Sequence, residues 1–191
     1  MKRRNILIGI SVLGGGALLG YPGFKWIRWN LHPDFDHLTR SRNLLASLAD
    51  TIIPSTDTPG ASECGVQDFI IKMVKTCTDT MSQNKFLEGL KDLEGFTQSE
   101  YGKSFPECTG GERQQILRNF EEKDRPWPGL AGKVQKKYLG SPFFVTLKRY
   151  SVIGYCTSEG GATQALRYSH VPAKYVPCEP YIPGERAWAT S

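Results

Sequence analysis

Between residues 66 and 81 the apolar side chains Val66, Phe69, Ile70, Met73, Val74, Cys77 and Met81 recur at spacings of three and four. A 3.6-residue helix gathers such positions on one face, which has to be buried against other elements. The same period recurs on both sides of this stripe. Leu38, Leu44, Leu45, Leu48 and Ile52 keep it as far as Pro54, where a helix stops for want of an N–H and for steric reasons. Ser55 to Gly60 is a turn-rich loop, and Phe86, Leu90 and Leu93 mark a third helix. Thr109-Gly110-Gly111-Glu112 has the capping-box pattern and opens a fourth helix through Ile116, Leu117 and Phe120, broken between Asp124 and Pro128. Ser141-Pro142 reads as an N-cap followed by proline at the first helical position, launching Phe143 to Tyr155. A short helix around Gly161 to Tyr168 is expected next. Strand-like alternation is almost absent. These signals predict an all-α fold: a single helical domain of about five to six helices, with an N-terminal export segment and an irregular aromatic C-terminal tail.

The export segment is read from the first residues. Met1-Lys2-Arg3-Arg4 is a compact basic end, and an uncharged run rich in Ile, Leu and Gly continues from Asn5 to Phe24. That order is the one an export signal uses. Arg3, Arg4, Ile6 and Leu7 resemble the twin-arginine form, two arginines, any residue, then two apolar residues. Cleaved and anchored forms are both open, because no Ala-x-Ala site follows and the run is close to the ~20 residues of a membrane span. Residues 1–29 are thus expected to be signal or anchor and 30–191 the helical domain, placed outside the cytoplasm, free or membrane-associated. Residues 21–36 read as an extended linker. Residues 171–191, rich in Pro, Tyr and Trp, read as a tail that lies in a groove, on its own domain or on another protein.

Charge and cysteines narrow the function classes. The net charge is +5, but Lys2, Arg3 and Arg4 supply three of those charges, so no basic face for nucleic acid is indicated. Cys64, Cys77, Cys108, Cys156 and Cys178 are candidates for disulfides in an exported chain, and an odd count leaves at least one unpaired or paired with another chain. Their spacing contains no C-x-x-C, and metal or haem ligation is not expected. His32 and His37 near Asp34 and Asp36 read as exposed polar residues of the linker. Ser158 reads as a helix-end residue, since no nucleophile elbow surrounds it. Glu159 and Arg167 are a candidate internal ion pair. No dinucleotide fingerprint or P-loop is present, so no catalytic, cofactor-binding or metal residue is assigned.

Longer blocks carry more specific information. Leu48-Ala-Asp-Thr-Ile-Ile-Pro54, then Thr56 to Ala61, Gly65-Val66 and Phe69-Ile70, closely resemble the opening block of the gluconate 2-dehydrogenase subunit 3 family. Phe143-Phe144, Leu147-Lys148, Gly154-Tyr155, Thr157-Ser158-Glu159, Gly161-Ala162-Thr163, Ala165-Leu166, Tyr168 and Val171-Pro172 resemble its second block. Tyr175, Cys178, Pro180-Tyr181 and Gly184 to Trp188 resemble its terminal segment. Cys156 departs from the family, which often has an aromatic there.

The resemblance implies a non-catalytic small subunit of a periplasmic sugar, sugar-acid or polyol dehydrogenase. Its partner would be a flavoprotein large subunit of the glucose-methanol-choline type, holding FAD, with a cytochrome c subunit as a further partner. The small subunit would bring the pair to the twin-arginine export machinery and help the flavoprotein mature. Tyr155, Tyr168, Tyr175, Tyr181 and Trp188 are then the candidate partner contacts, since aromatics bury much area with few rotors to freeze. Cys64 or Cys178 could bridge to the partner or close an ordinary intrachain bond. Two other classes predict different behaviour: a free-standing exported helical binding or structural protein would be a partnerless monomer, and an enzyme in its own right would turn over substrate without flavin.

Overall fold

The computed structural model describes residues 32–125, 129, 140–171, 178, 180 and 182–189. The export segment, with Arg3, Arg4, Ile6 and Leu7, lies outside the described residues, as do Tyr175 and Tyr181. Among the described residues the α-helices are α1 Phe35–Arg40, α2 Arg42–Ile52, α3 Val66–Cys77, α4 Thr80–Tyr101, α5 Gly110–Lys123 and α6 Phe143–Thr157. A 3-10 turn, Phe105–Glu107, joins α4 to α5, and a π turn, Gly161–Ala165, follows α6. There is no strand among the described residues; the nearest approach is a single parallel bridge between Arg167 and Trp188. No helix there is long and apolar enough to cross a membrane. The all-α expectation holds.

Several boundaries move, each for a physical reason. The first expected helix is two, because Ser41 leaves helical geometry and its hydroxyl bonds back to the His37 carbonyl at 3.0 Å. α1 begins at Phe35, so the expected linker is shorter than 21–36, and His37 is a half-buried helix residue instead of an exposed linker one. The stripe from Val66 breaks before Met81: Asp79 caps a new helix by accepting from the Ser82 N–H at 3.0 Å. That new helix runs through Phe86, Leu90 and Leu93 as far as Tyr101. The helix expected around Gly161 to Tyr168 is a π turn that stops at Ala165.

α6 is the central element. Phe143, Phe144, Thr146, Leu147, Tyr150, Ser151, Gly154 and Tyr155 are all buried, so it is covered over most of its circumference. It packs against α3 and α4 most extensively, and against α2 and α5. Leu38, Leu45, Leu48, Ile70, Phe86, Leu90, Leu93, Phe105, Ile116 and Leu147 are almost completely withdrawn from water. Each such side chain stabilises the fold by about 1.5–3 kcal/mol of transferred surface. Phe143 is a hub, its ring 5.3 Å from Phe86 and 6.1 Å from Phe120. Buried polar groups tie the bundle: the Gln83 amide donates to the Val74 and Lys75 carbonyls at 2.9 and 3.2 Å, and Tyr150 shares a 2.8 Å hydrogen bond with Thr78.

The start of α6 is a correction of one residue. Pro142, and not Ser141, occupies the N-cap, where it has no side-chain acceptor to offer. Asp124 supplies one from the end of α5, accepting from the Phe144 N–H at 2.8 Å. The Ser141 N–H instead donates to Ser82 Oγ at 2.8 Å, stapling the α6 entry to α4.

The capping box on α5 is as expected. Glu112 accepts from the Thr109 N–H at 2.7 Å and from Lys103 Nζ at 2.8 Å. The Lys103 ammonium foremost, with the Thr109 N–H, holds the Glu112 carboxyl down to about 2. A carboxyl lowered by folding stabilises the native state above its unfolded value near 4.5, and that contribution fades as pH falls towards 2. The expected outcome for Glu112→Gln is a flatter fall of Tm across that acid window, with a lower Tm above it. Thermal unfolding from pH 7 to pH 2 checks this, and identical pH profiles would show that the pair contributes nothing.

Candidate functional site

The two separated sequence blocks meet at one end of the bundle. α2 ends at Ile52, and the loop that follows is closed where the Ala61 N–H donates to the Ile53 carbonyl at 3.1 Å. Asp50, from the last turn of α2, accepts from the Ser62 N–H at 2.7 Å. Tyr155, near the end of α6, donates its hydroxyl to the Pro59 carbonyl at 2.9 Å. A third tether is steric, since Cys64 Sγ sits 2.8 Å from where a Cβ on Gly160 would be. Loop 53–65 is therefore fastened from α2, α6 and the π turn together, while its tip, Pro54 to Asp57, is exposed.

The π turn is built around Ser158, which caps α6. Its hydroxyl donates to the Tyr155 carbonyl at 2.7 Å and accepts from the Gly161 N–H at 3.0 Å. The Leu166 N–H closes the turn on the Gly161 carbonyl at 3.0 Å. The chain then leaves the bundle through Arg167 and Tyr168. Arg167 bridges to the returning tail, with its guanidinium 4.0 Å above the Trp188 ring.

The candidate contact residues fall into different settings. Tyr168 and Trp188 are 46% and 45% exposed, so both remain available to a partner. Val171 and Ile182 are more exposed still, and Val152 on α6 adds a further uncovered apolar side chain. Tyr155 is buried at 6%, and its hydroxyl is used within the chain. The described part of the tail rests on its own chain through Arg167. Glu185, not Glu159, is the ion-pair partner of Arg167: the returning tail brings its carboxylate to the guanidinium.

The cysteines form no disulfide. Cys64, Cys77, Cys108, Cys156 and Cys178 are all free, and they stand on loop 53–65, the end of α3, the α5 entry, α6 and the tail. Cys108 is buried with its thiol 3.5 Å from the Ser104 carbonyl, and burial pushes that thiol up, towards its neutral form. Cys77 and Cys178 are exposed.

This end holds loop carbonyls, hydroxyls and apolar rings. Ser158 is occupied as a cap, and His170 lies beside Tyr168, ring centres 6.4 Å apart. No group of three or more His, Cys, Asp or Glu suited to a metal ion occurs among the described residues. An open groove of about 550 Å³ lies elsewhere, between α5 and α6, with Phe144 in its wall and the Lys148–Glu121 ion pair (2.7 Å) on its rim. Sequence reasoning missed Asp50 as an organiser of this end and gave Arg167 the wrong ion-pair partner. Asp50 falls within a recognised block, but its partner Ser62 is twelve residues on, beyond any local motif.

Compared with known proteins, residues 39–173 match the model of the family described as gluconate 2-dehydrogenase subunit 3. The matched span contains α2 to α6, loop 53–65 and the π turn. No match was found among curated proteins, and none among solved structures.

Proposed function

Because the chain belongs to the gluconate 2-dehydrogenase subunit 3 family, small accessory subunits of periplasmic dehydrogenases, we propose that it is the non-catalytic escort of a flavoprotein. The partner is an FAD-dependent dehydrogenase of the glucose-methanol-choline type that oxidises a CH–OH group of a sugar, sugar acid or polyol. This chain supplies the twin-arginine signal through Arg3, Arg4, Ile6 and Leu7, carries the folded flavoprotein across the membrane and stabilises it in the periplasm. FAD belongs to the large subunit; a cytochrome c subunit is the further partner that would take the electrons.

The observation that carries this reading is the family match over residues 39–173. The meeting of both matched blocks at one end supports the place of contact. That end is fixed by Asp50, Tyr155 and Ser158 and offers Tyr168 and Trp188 to a second protein. A rigid support with a few exposed rings is how interfaces concentrate binding energy.

The test is a pull-down of the tagged, full-length chain from its native host, read by flavin absorbance and by the companion protein recovered. A yellow complex is expected in the periplasm, and replacing Arg3 and Arg4 by lysine should trap it in the cytoplasm. A colourless, partnerless monomer would overturn the reading in favour of a free-standing helical module. Export unaffected by the lysine pair would remove the twin-arginine part alone.

A further inference from the structure

A groove of about 580 Å³ lies where α1 and the start of α2 meet α4 and the 3-10 turn. None of its lining residues belongs to loop 53–65, the π turn or the tail. Leu44 and Phe105, both almost wholly buried, supply its apolar base. His37 and Arg40 line it from α1, and Glu94, Gly95 and Gln98 from α4. An apolar base of this size with a few polar groups around it is the usual form of a small-molecule site.

The charged groups of the two walls do not neutralise one another. Arg40 and Glu94 share the groove, yet they form no ion pair, and neither makes a hydrogen bond through its side chain. The side-chain amide of Gln98, one turn beyond Glu94, is also without a partner. Asp34 feels Arg40 and Lys91, which help the His37 N–H to hold its carboxyl below the usual range, but it forms no ion pair with Arg40. His37 adds an orphan atom: its Nε2 is withdrawn from water and has no hydrogen-bond partner. Buried polar atoms are normally paired. Opposite charges left apart on two walls, over an apolar base, fit a guest that carries both charges itself.

We propose that this groove binds a free α-amino acid with an apolar side chain. The carboxylate of the ligand accepts two parallel hydrogen bonds from the Arg40 guanidinium. Its ammonium donates to the Glu94 carboxylate and to the amide oxygen of Gln98. Its side chain covers Leu44 and Phe105. A lone anion would leave Glu94 unpaired, a lone cation would leave Arg40 unpaired, and a neutral apolar guest would leave both. Gly95 keeps the α4 wall low. A Cβ there would meet nothing within 4 Å, so packing does not require glycine, and a helix interior disfavours it. Room for a guest accounts for it. Both charge pairs face water, so each contributes modestly, and a Kd on the order of 1 mM is expected.

Titration of the full-length chain with L-leucine, followed through its amide NMR shifts, tests the proposal. Saturable shifts are expected at Gly95, Gln98 and Phe105, with Gly161 in the π turn unmoved. Glycine lacks the side chain and N-acetyl-leucinamide lacks both charges, so each should bind at least about tenfold more weakly than leucine. Arg40→Gln and Glu94→Gln should each weaken leucine by about tenfold. Gly95→Leu places a side chain at the groove without a clash, so it should keep or raise Tm while removing the shifts at Gln98 and Phe105. That variant supplies the reading if a charge variant does not fold. No saturable shift up to about 20 mM leucine, a range well above the expected Kd, would overturn the proposal. So would N-acetyl-leucinamide binding as tightly as leucine, which would mark a docking groove for peptide instead. Leucine binding unchanged by Gly95→Leu would overturn it as well.

Discussion

Gly89→Ala is expected to destabilise the protein, although alanine is the better helix former by about 1 kcal/mol. The reason is the crossing of α4 and α6. A Cβ on Gly89 would lie 2.3 Å from both Cβ and Cγ of Phe143, inside any tolerable contact. Phe143 cannot retreat, because Phe86 and Phe120 pack on its ring. Overpacking of this kind costs about 1–3 kcal/mol, so a fall in Tm of order 5 °C is expected. Phe143→Ala should cost more, about 3–5 kcal/mol, by emptying the hub of the core. In that background the contact to Cγ is gone but the one to Cβ of residue 143 remains, so Gly89→Ala should still destabilise, by less than in the unaltered chain. Urea unfolding of the two single variants and the double variant measures the cycle. Additive losses would show that the two side chains do not compete for the same space.

Gly161→Ala is expected to act at the other end of α6 and to damage more than stability. The added Cβ would stand 2.0 Å from the Tyr155 carbonyl oxygen and 2.8 Å from its carbon. That carbonyl already accepts from Ser158, through its N–H at 3.1 Å and its hydroxyl at 2.7 Å. The obstacle is backbone, so relief requires undoing the α6 cap and the π turn together. A loss of about 3 kcal/mol is expected. Because the turn leads into Arg167, whose carbonyl accepts from the Ala189 N–H at 2.9 Å, exchange of the Ala189 amide should speed up in the same variant while α4 amides keep their rates. Under the escort reading the variant should also recover less flavoprotein in the pull-down. Unfolding at the same urea concentration as the unaltered chain, with Ala189 exchanging at an unchanged rate, would mean that the turn relaxes freely.

Both variants remove no side chain, and their effects come from where α6 lies. That separates what could be read along the chain from what could not. The apolar stripe from Val66, the stop at Pro54, the Thr109–Glu112 box and the Ser158 cap all involve partners within about four residues, the range over which helical geometry alone fixes who meets whom. The resemblance of residues 48–70 and 143–172 to a known family was legible for the same reason, since blocks are read in order and spacing. The break at Ser41 and the early end of α3 were not, because Ser41 and Asp79 act through hydroxyl or carboxylate hydrogen bonds that competing residues could equally have made.

The remaining features depend on groups brought together from distant parts of the chain. Asp124 caps α6 in place of Ser141 because α5 ends beside the α6 entry. Tyr155 reads as a contact aromatic by type, yet its ring is buried and its hydroxyl holds Pro59, 96 residues away. Arg167 takes Glu185 over the nearer Glu159 because the tail returns alongside it. The order and type of the helices follow from local periodicity and capping, which each short stretch carries within itself. The choice among several chemically equivalent partners follows from packing, since burial admits one arrangement of α6 against α2, α3, α4 and α5 and so decides which groups along it can pair.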